Sequence, residues 1–443
     1  MDLDERGFHP TVLVRFRERL LSHEFADIAF KTVLAQLREA GYLAKKSPHR
    51  VDSTHIIGLI ADMSRLECVM ETIRLALEAL ESEEEPAKPE EWSGWWDRYV
   101  ESKPDYKAGK EALRLKMSQA GADAHAILNW TKDMPQKARG YEKLKMLERV
   151  FDENFELIEG AGIEQRRAQP PGAVHNPHNP EAQWSSKNTI KNKDWIGHKV
   201  QVAETVEDKP REKGEPTAGI ITAIVAQEAI SSDKSALPII EKALEGAGLE
   251  KPGVIYADAG YSSGDELARA LSEGRELKAP VQPAPVKDGK LSSDDFDVSI
   301  ASRCATCQAG CQSTNCSRLE DGKTGKVTYR FEWNKDLCQS CDKKSGCLGK
   351  DQNHRTLLVG ANHDLVQRRR REQKTESFGR DMKHRNGIEG TISELCRGYG
   401  LRRARYRGLA KTQLQAFMAA AACNIKRVCR RQRWLRETAS AVA

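Results

Sequence analysis

Between Trp195 and Pro285 the sequence changes period repeatedly, and that alternation restricts the fold more than any other feature. IGHKVQVAET alternates apolar and polar residues as a strand does, and GIITAIVAQEA is a second strand run. ALPIIEKALEGAG then recurs at helical spacing, GVIYADAGY returns to strand, SSGDELARALSEG to helix, and LKAPVQPAP reads as an edge strand. Strands and helices in this order pack as an α/β sheet covered by its helices. Upstream, Val12, Val14, Phe16, Leu20 and Leu21, then Phe30, Val33, Leu34 and Leu37, recur at three- and four-residue steps, so 10–44 reads as helical. HRVDSTHIIGLI breaks that pattern with a short apolar run, a strand that carries Asp52.

A chain of 443 residues has room for two or three domains. The sequence divides into an N-terminal helical segment at 1–45, a first core strand at 46–60 and a mainly helical insertion at 61–190, packed on Trp92, Trp95 and Trp96. The rest of the sheet follows at 191–286, then a Cys-rich insert at 287–360 and basic helices at 361–443. No stretch approaches the roughly 18 uncharged apolar residues of a membrane span. The opening MDLDERGFHP lacks the layout of a signal peptide, and the reading is a cytoplasmic protein.

Three acids stand in suggestive places. Asp258 ends the apolar run V-I-Y-A-D, so its carboxylate emerges at the C-terminal edge of a sheet, where ligands collect in open α/β folds. Asp52 has a comparable setting in R-V-D-S-T-H, and Glu389 falls in the first turns of a helix in HRNGIEGTISELCRGYG, four residues after Arg385. Taken singly, each acid has a structural explanation as a helix cap or a surface ion pair. Together, two strand aspartates and a distant helical glutamate form the arrangement with which a ribonuclease-H-like core holds two Mg2+ ions for phosphoryl transfer. His55, His175 and His178 are left outside this set, as locally bonded or loop histidines.

Charge and cysteine content add two further expectations. From Ala361 to Ala443 there are 20 Lys+Arg against 7 Asp+Glu, although the whole chain carries only +6. The run Arg368–Arg371 and the alternating Arg402, Arg403, Arg405 and Arg407 suit a phosphate-contacting surface. Seven of the 11 cysteines fall between Cys304 and Cys347: Cys304-x2-Cys307 with Cys311 and Cys316, then Cys338-x2-Cys341 with Cys347. In a cytosolic chain such spacing favours a tetrahedral Zn2+ site over disulfides, the alternative being reduced cysteines that pack a small hairpin. Cys68, Cys396, Cys423 and Cys429 lie in helical patterns and read as core residues.

The segments VDSTHII, ETIRLALEAL, NPEAQWSSK, WIGHKVQVAET, VIYADAGYSSGDEL, FEWNKDLCQSCDKKSGC and RNGIEGTISELCRGYGLRRARYRGLAKTQLQAFMAAAACNIKR follow one another from Val51 to Arg427, within a likeness that runs from about Phe8. In that order they resemble the DDE transposases of bacterial insertion sequences, in the subgroup with a cysteine-bearing insert before the final acid. The resemblance implies an α/β ribonuclease-H-like core interrupted by a helical insertion and a Cys-rich insert. It implies the triad Asp52, Asp258 and Glu389 as ligands of Mg2+ or Mn2+, and Cys307, Cys338, Cys341 and Cys347 as the zinc set. The implied reaction is metal-dependent hydrolysis at the ends of a mobile element, followed by strand transfer into target DNA by a homodimer. Arg385 and the arginines at 402, 403, 405 and 407 would hold backbone phosphates. Asn179 stands where the resemblance leads one to expect Asp, and is read as a structural loop residue. Of a Tyr, Arg, Glu, Lys series around the last acid, Arg385 and Glu389 fit, whereas Met382 and Cys396 occupy the other spacings. The family also carries a helical DNA-binding region ahead of the point where this sequence starts, which leaves a second reading: a truncated, inactive form that only binds DNA.

Overall fold

The strand that carries Asp52, β1 (His49–Ile57), buries Val51 on one face and Ile56 on the other. A strand with apolar cover on both sides belongs in the middle of a sheet. In the computed structural model it does lie there. The structure describes residues 9–442 apart from 61–62, 85, 103–108, 137, 139, 161, 187–193, 208–210 and 287. The opening residues 1–8 and Lys187 of NPEAQWSSK thus lie outside the described residues.

The other strands of the main sheet are β2 (Gln183–Ser186), β3 (Asp194–Thr205), β4 (Ile221–Glu228), β5 (Val254–Tyr256) and β6 (Glu276–Lys278). They lie in the order β4-β3-β1-β5-β6, with β2 paired to the start of β3. The pairings among β4, β3 and β1 are antiparallel, and those of β5 with β1 and β6 are parallel. Two boundaries differ from the sequence reading. The chain rejoins the sheet at Gln183, ahead of the expected 191. Of LKAPVQPAP only the first residues pair, in Glu276–Lys278, because Pro280, Pro283 and Pro285 have no N–H to offer a ladder.

Helices cover both faces. Before β1 come α1 (Pro10–Ser22) and α2 (Ile28–Glu39); after it come α3 (Arg65–Leu80), α4 (Lys110–Trp130) and α5 (Tyr141–Asn154). The helix α3 starts at a capping box, in which Ser64 and Glu67 satisfy each other's backbone N–H. With Trp95, α3 to α5 enclose a core of their own that includes Ile73, Leu77, Ile127 and Leu147, and Trp92 and Trp96 pack on its margin. The later helices are α6 (Ala236–Gly246), α7 (Gly264–Ser272), α8 (His363–Glu372), α9 (Lys383–Gly398) and α10 (Leu409–Val442). Phe30 and Leu34 of α2, Ile388 and Leu395 of α9, and Ala416 and Ala420 of α10 fill one face of the sheet. Leu237 and Ile240 of α6 and Leu267 of α7 fill the other. The Cys-rich segment folds around a three-stranded antiparallel sheet, β7 (Asn315–Glu320), β8 (Val327–Glu332) and β9 (Thr356–Gly360), over Phe296, Phe331 and Trp333. Among the described residues no helix is long and apolar enough to cross a membrane.

The sheet edge at β4 is closed by side chains. Asn424 of α10 accepts from Ile221 N at 2.9 Å and donates to Ile221 O at 2.8 Å. One turn-set earlier, Gln413 accepts from Ala226 N at 2.5 Å and donates to Ile224 O at 2.9 Å. These amides occupy backbone groups that would otherwise pair with another chain. Asn424→Ala would leave a buried donor and acceptor without partners, at a cost of about 1–3 kcal/mol. A urea unfolding midpoint should fall accordingly, whereas Ile425→Ala, at a side chain 51% exposed, should change stability by no more than about 0.5 kcal/mol.

Candidate active site

The parallel register of β1 and β5 brings the two aspartates side by side. His49 is level with Ile255 and Arg50 with Tyr256, and this register carries Asp52, two residues further along β1, toward Asp258, two residues past the end of β5; both reach Arg385 Nη2. Asp258 lies in the turn that follows β5, and its carboxylate accepts from Gly260 N at 2.7 Å. A Cβ at Gly260 would lie 2.9 Å from Asp258 Oδ1, so any other residue there would push the carboxylate from its place. Beneath the turn, Tyr261 is wholly buried and donates its hydroxyl to Gln201 Oε1. Burial, reinforced by the charges of Asp233, Asp52 and Asp258, holds its phenol protonated far above the ordinary range.

The third acid arrives on α9, which a buried ionic network seats on the sheet. Glu204, at the end of β3, has no exposed surface. Its Oε1 takes Arg50 Nε at 2.5 Å, while its Oε2 takes Arg427 Nη1 at 2.9 Å and the Thr391 hydroxyl at 2.6 Å. Burial works against the charge of Arg427, yet Glu204 and Glu394 keep it firmly protonated. Arg50 also donates to the carbonyl of His384 at 3.1 Å, in the first turn of α9. The helix can approach this closely because position 387 is glycine: a Cβ there would stand 1.9 Å from Arg50 Nη1.

So seated, α9 places Arg385 among all three acids. Nη2 donates to Asp52 Oδ2 at 2.7 Å and lies 3.9 Å from Asp258 Oδ2, and Nη1 is 3.3 Å from Glu389 Oε1. The Arg385 side chain is only 17% exposed, while those of Asp258 and Glu389 are 44% and 68% exposed, so the cluster opens to solvent on the Asp258 and Glu389 side. Three carboxylates and one guanidinium leave a formal charge of −2 there. Hard carboxylate oxygens around a cationic group are the donors a hard divalent ion requires. Among the described residues no group of three or more His, Cys, Asp or Glu, the cysteines included, is gathered tightly enough to hold an ion.

A fourth acid, unmarked by the sequence motifs, borders the cluster. Asp233 Oδ1 accepts from Gln201 Nε2 at 2.9 Å and lies 3.3 Å from Lys199 Nζ, and its Oδ2 would stand 3.6 Å from a Cβ at Gly260. Nothing in SSDKSALP distinguishes this aspartate from a helix cap. Asn179 lies elsewhere, buried, with Oδ1 accepting from Gly408 N at 3.0 Å, so it fastens its loop to the start of α10.

The arginines divide into two kinds. Arg402 is occupied on Thr54 Oγ1 at 3.0 Å and on the His55 carbonyl at 2.8 Å, whereas Arg403, Arg405 and Arg407 are exposed. Within the run at 368–371, Arg369 donates to the carbonyls of Leu277 and Ala279, and Arg370 to that of Gln282 and to Asp294. Those two brace the end of the sheet, so the run as a whole is not the phosphate surface its composition suggests. The His55 and Trp195 rings lie with centroids 4.8 Å apart and planes tilted by 33°, and His178 bonds Glu71 at 2.6 Å.

In the Cys-rich segment, Cys307, Cys311, Cys338, Cys341 and Cys347 line one cavity of about 30 Å³ with Trp333 and Leu348. Cys304 and Cys316 do not line it, and Cys316 has Cys304 as its neighbouring thiol. The C-x2-C unit at 304 and 307 is therefore split. Cys304 lies in the strand Cys304–Thr306, and residues an odd number apart on an extended chain point to opposite faces. Burial and the surrounding thiols of Cys338, Cys307 and Cys341 push the Cys347 thiol up.

Residues 306–429 match the family described as a transposase DDE domain. No curated protein matches the chain. The matched span holds Glu389, Arg385 and the five cysteines of the cavity but ends short of both aspartates in the N-terminal direction. The match supports a DDE-type transposase, with DNA as its substrate.

Gly387 offers a test with opposite signs. Gly→Ala in an exposed helix interior stabilises by about 1 kcal/mol. Gly390→Ala, with nothing within 4 Å of the added atom, should do so. Gly387→Ala should instead destabilise by about 1–3 kcal/mol, because Arg50 cannot withdraw without giving up Glu204. Thermal unfolding of the two variants gives both signs.

Proposed function

We propose that this protein is a DDE transposase of a bacterial insertion sequence, which cuts the ends of its element and joins the freed 3′ hydroxyls to target DNA. The observation that carries this reading is the meeting of Asp52, Asp258 and Glu389 around one guanidinium. An acid on β1, one just past the end of the neighbouring parallel β5 and one on α9 support a ribonuclease-H-like core. Asp52, Asp258 and Glu389 would hold Mg2+ or Mn2+, which would supply charge stabilisation to an in-line phosphoryl displacement. The protein's own groups do the positioning. Asp52 and Asp258 are fixed by strand register, and Glu389 by the seat of α9 on Glu204. Arg385, with the exposed Arg403, Arg405 and Arg407, grips backbone phosphates of double-stranded DNA without reading its sequence, and Arg402 fixes their loop to β1. Two element ends call for two such sites, hence a homodimer on DNA, acting in the bacterial cytoplasm.

Within the same reading, Cys307, Cys338, Cys341 and Cys347 hold a structural Zn2+ that fixes the insert preceding α9. Soft thiols around a small cavity suit that ion. Elemental analysis should find about one zinc per chain in the wild type and markedly less in Cys338→Ser and Cys341→Ser. Cys304→Ser and Cys316→Ser should retain it; equal zinc in all four variants rules the site out.

The catalytic reading is tested with uncut and precut element ends, a target duplex and Mn2+. Asp52→Asn, Asp258→Asn and Glu389→Gln should each reduce cleavage and joining at least about 100-fold while salt-sensitive DNA binding persists, and pairs of variants should lose little more, since the three acids act as a unit. DNA binding without cleavage in every protein, wild type included, would favour a form that only binds DNA. Cleavage without joining would leave a metal-dependent nuclease.

A further inference from the structure

The guanidinium of Arg385 stands where a bridging cation would have to stand. Its Nη2 is 2.7 Å from Asp52 Oδ2 and 3.9 Å from Asp258 Oδ2, between the two aspartates that register sets side by side, and Nη1 takes Glu389 at 3.3 Å. A single positive group thus spends its charge on all three acids. On the reading that these acids hold divalent metal, we infer that Arg385 and the metal compete for the same carboxylate oxygens. A DNA phosphate settles the competition by drawing Arg385 away, so that DNA and metal each tighten the binding of the other.

Three features of the site carry this. The first is charge: withdrawing the guanidinium changes the cluster from −2 to −3 and removes one donor from Asp52 Oδ2, both of which favour a divalent ion. The second is the unfinished bonding of Arg385. Among the described residues its buried Nε has no acceptor, and a guanidinium has five N–H groups, arranged to match two oxygens of one phosphate. The third is mechanical independence. Arg385 lies in the first turn of α9, while the helix is held further along by Thr391 on Glu204 and by Arg50 against Gly387. Its side chain can turn outward without moving Glu389. The opening of the cluster beside Asp258 and Glu389 gives phosphate a route to it.

The contrasting role is a fixed brace that keeps three like charges together. The two roles predict opposite signs on removal: a competitor's loss tightens metal binding, whereas a brace's loss lets the acids separate and weakens it. Coupling through a shared group is also reciprocal, so DNA must tighten metal binding by the factor by which metal tightens DNA binding.

The test reads Mn2+ affinity directly, from the free-ion electron paramagnetic resonance signal, for wild type, Arg385→Met and Asp258→Asn, with and without a short DNA duplex. Without DNA, Arg385→Met should bind Mn2+ at least about tenfold more tightly than wild type; the duplex should tighten wild type by a similar factor and leave Arg385→Met nearly unchanged. Affinity in Arg385→Met equal to or below wild type overturns the inference, while loss of binding in Asp258→Asn keeps the carboxylate reading intact. If Asp258→Asn binds as wild type does, the carboxylate reading fails and the inference with it. Should Arg385→Met not fold, the wild-type titration decides alone: no tightening by the duplex overturns the proposal.

Discussion

A carboxylate with no exposed surface, Glu204, is the joint on which the site depends. It accepts from Arg50 on the strand of Asp52, from Thr391 on the helix of Glu389 and from Arg427 on α10, so three separate segments are referred to one pair of oxygens. Such a buried network adds little net stability over apolar packing, because desolvating its charges is costly. Breaking it is another matter, since a lone buried charge costs about 3–5 kcal/mol. The network therefore makes one geometry much better than its neighbours. Gly387 belongs to the same device, as it lets the backbone of α9 lie on the Arg50 guanidinium.

That joint makes it possible to keep three acids together at a solvent-open edge. Two like charges a few ångströms apart repel by about 1 kcal/mol in water and several times more near a protein surface. Arg385 offsets this repulsion, but from the first turn of a helix, where the backbone dipole disfavours a cation by about 0.3–1 kcal/mol. Its placement follows from the acids and runs against the preference of the helix. The cluster is consequently held together by a group that is itself in a compromised position. That combination suits an arrangement meant to be rearranged by a ligand.

Much of this was legible before any coordinates. The alternating periods from Trp195 to Lys278 correspond to β3, β4, α6, β5, α7 and β6 in order, because each element buries a face that its own periodicity announces. Asp258 stands out in the sequence because an acid directly after an apolar strand run is conspicuous, and Asp52 because it interrupts such a run. The network around Glu204 does not. It joins residues up to 223 positions apart, and neither VQVAET nor NIKRVC marks its charged residue as buried. Asp233 escaped for a similar reason, since only the turn at Gly260 brings it toward Asp258. Two local readings failed on backbone chemistry: prolines cut the last strand short, and carbonyl groups at the end of the sheet consumed Arg369 and Arg370.

The most direct measurement is a crystal structure of the protein with a short DNA duplex and Mn2+, with the ion located by its anomalous scattering. The account predicts manganese between Asp52 and Asp258 with Glu389 in its coordination sphere, and Arg385 turned onto a DNA phosphate. Manganese bound elsewhere, with Arg385 still seated on Asp52 beside bound DNA, would contradict it.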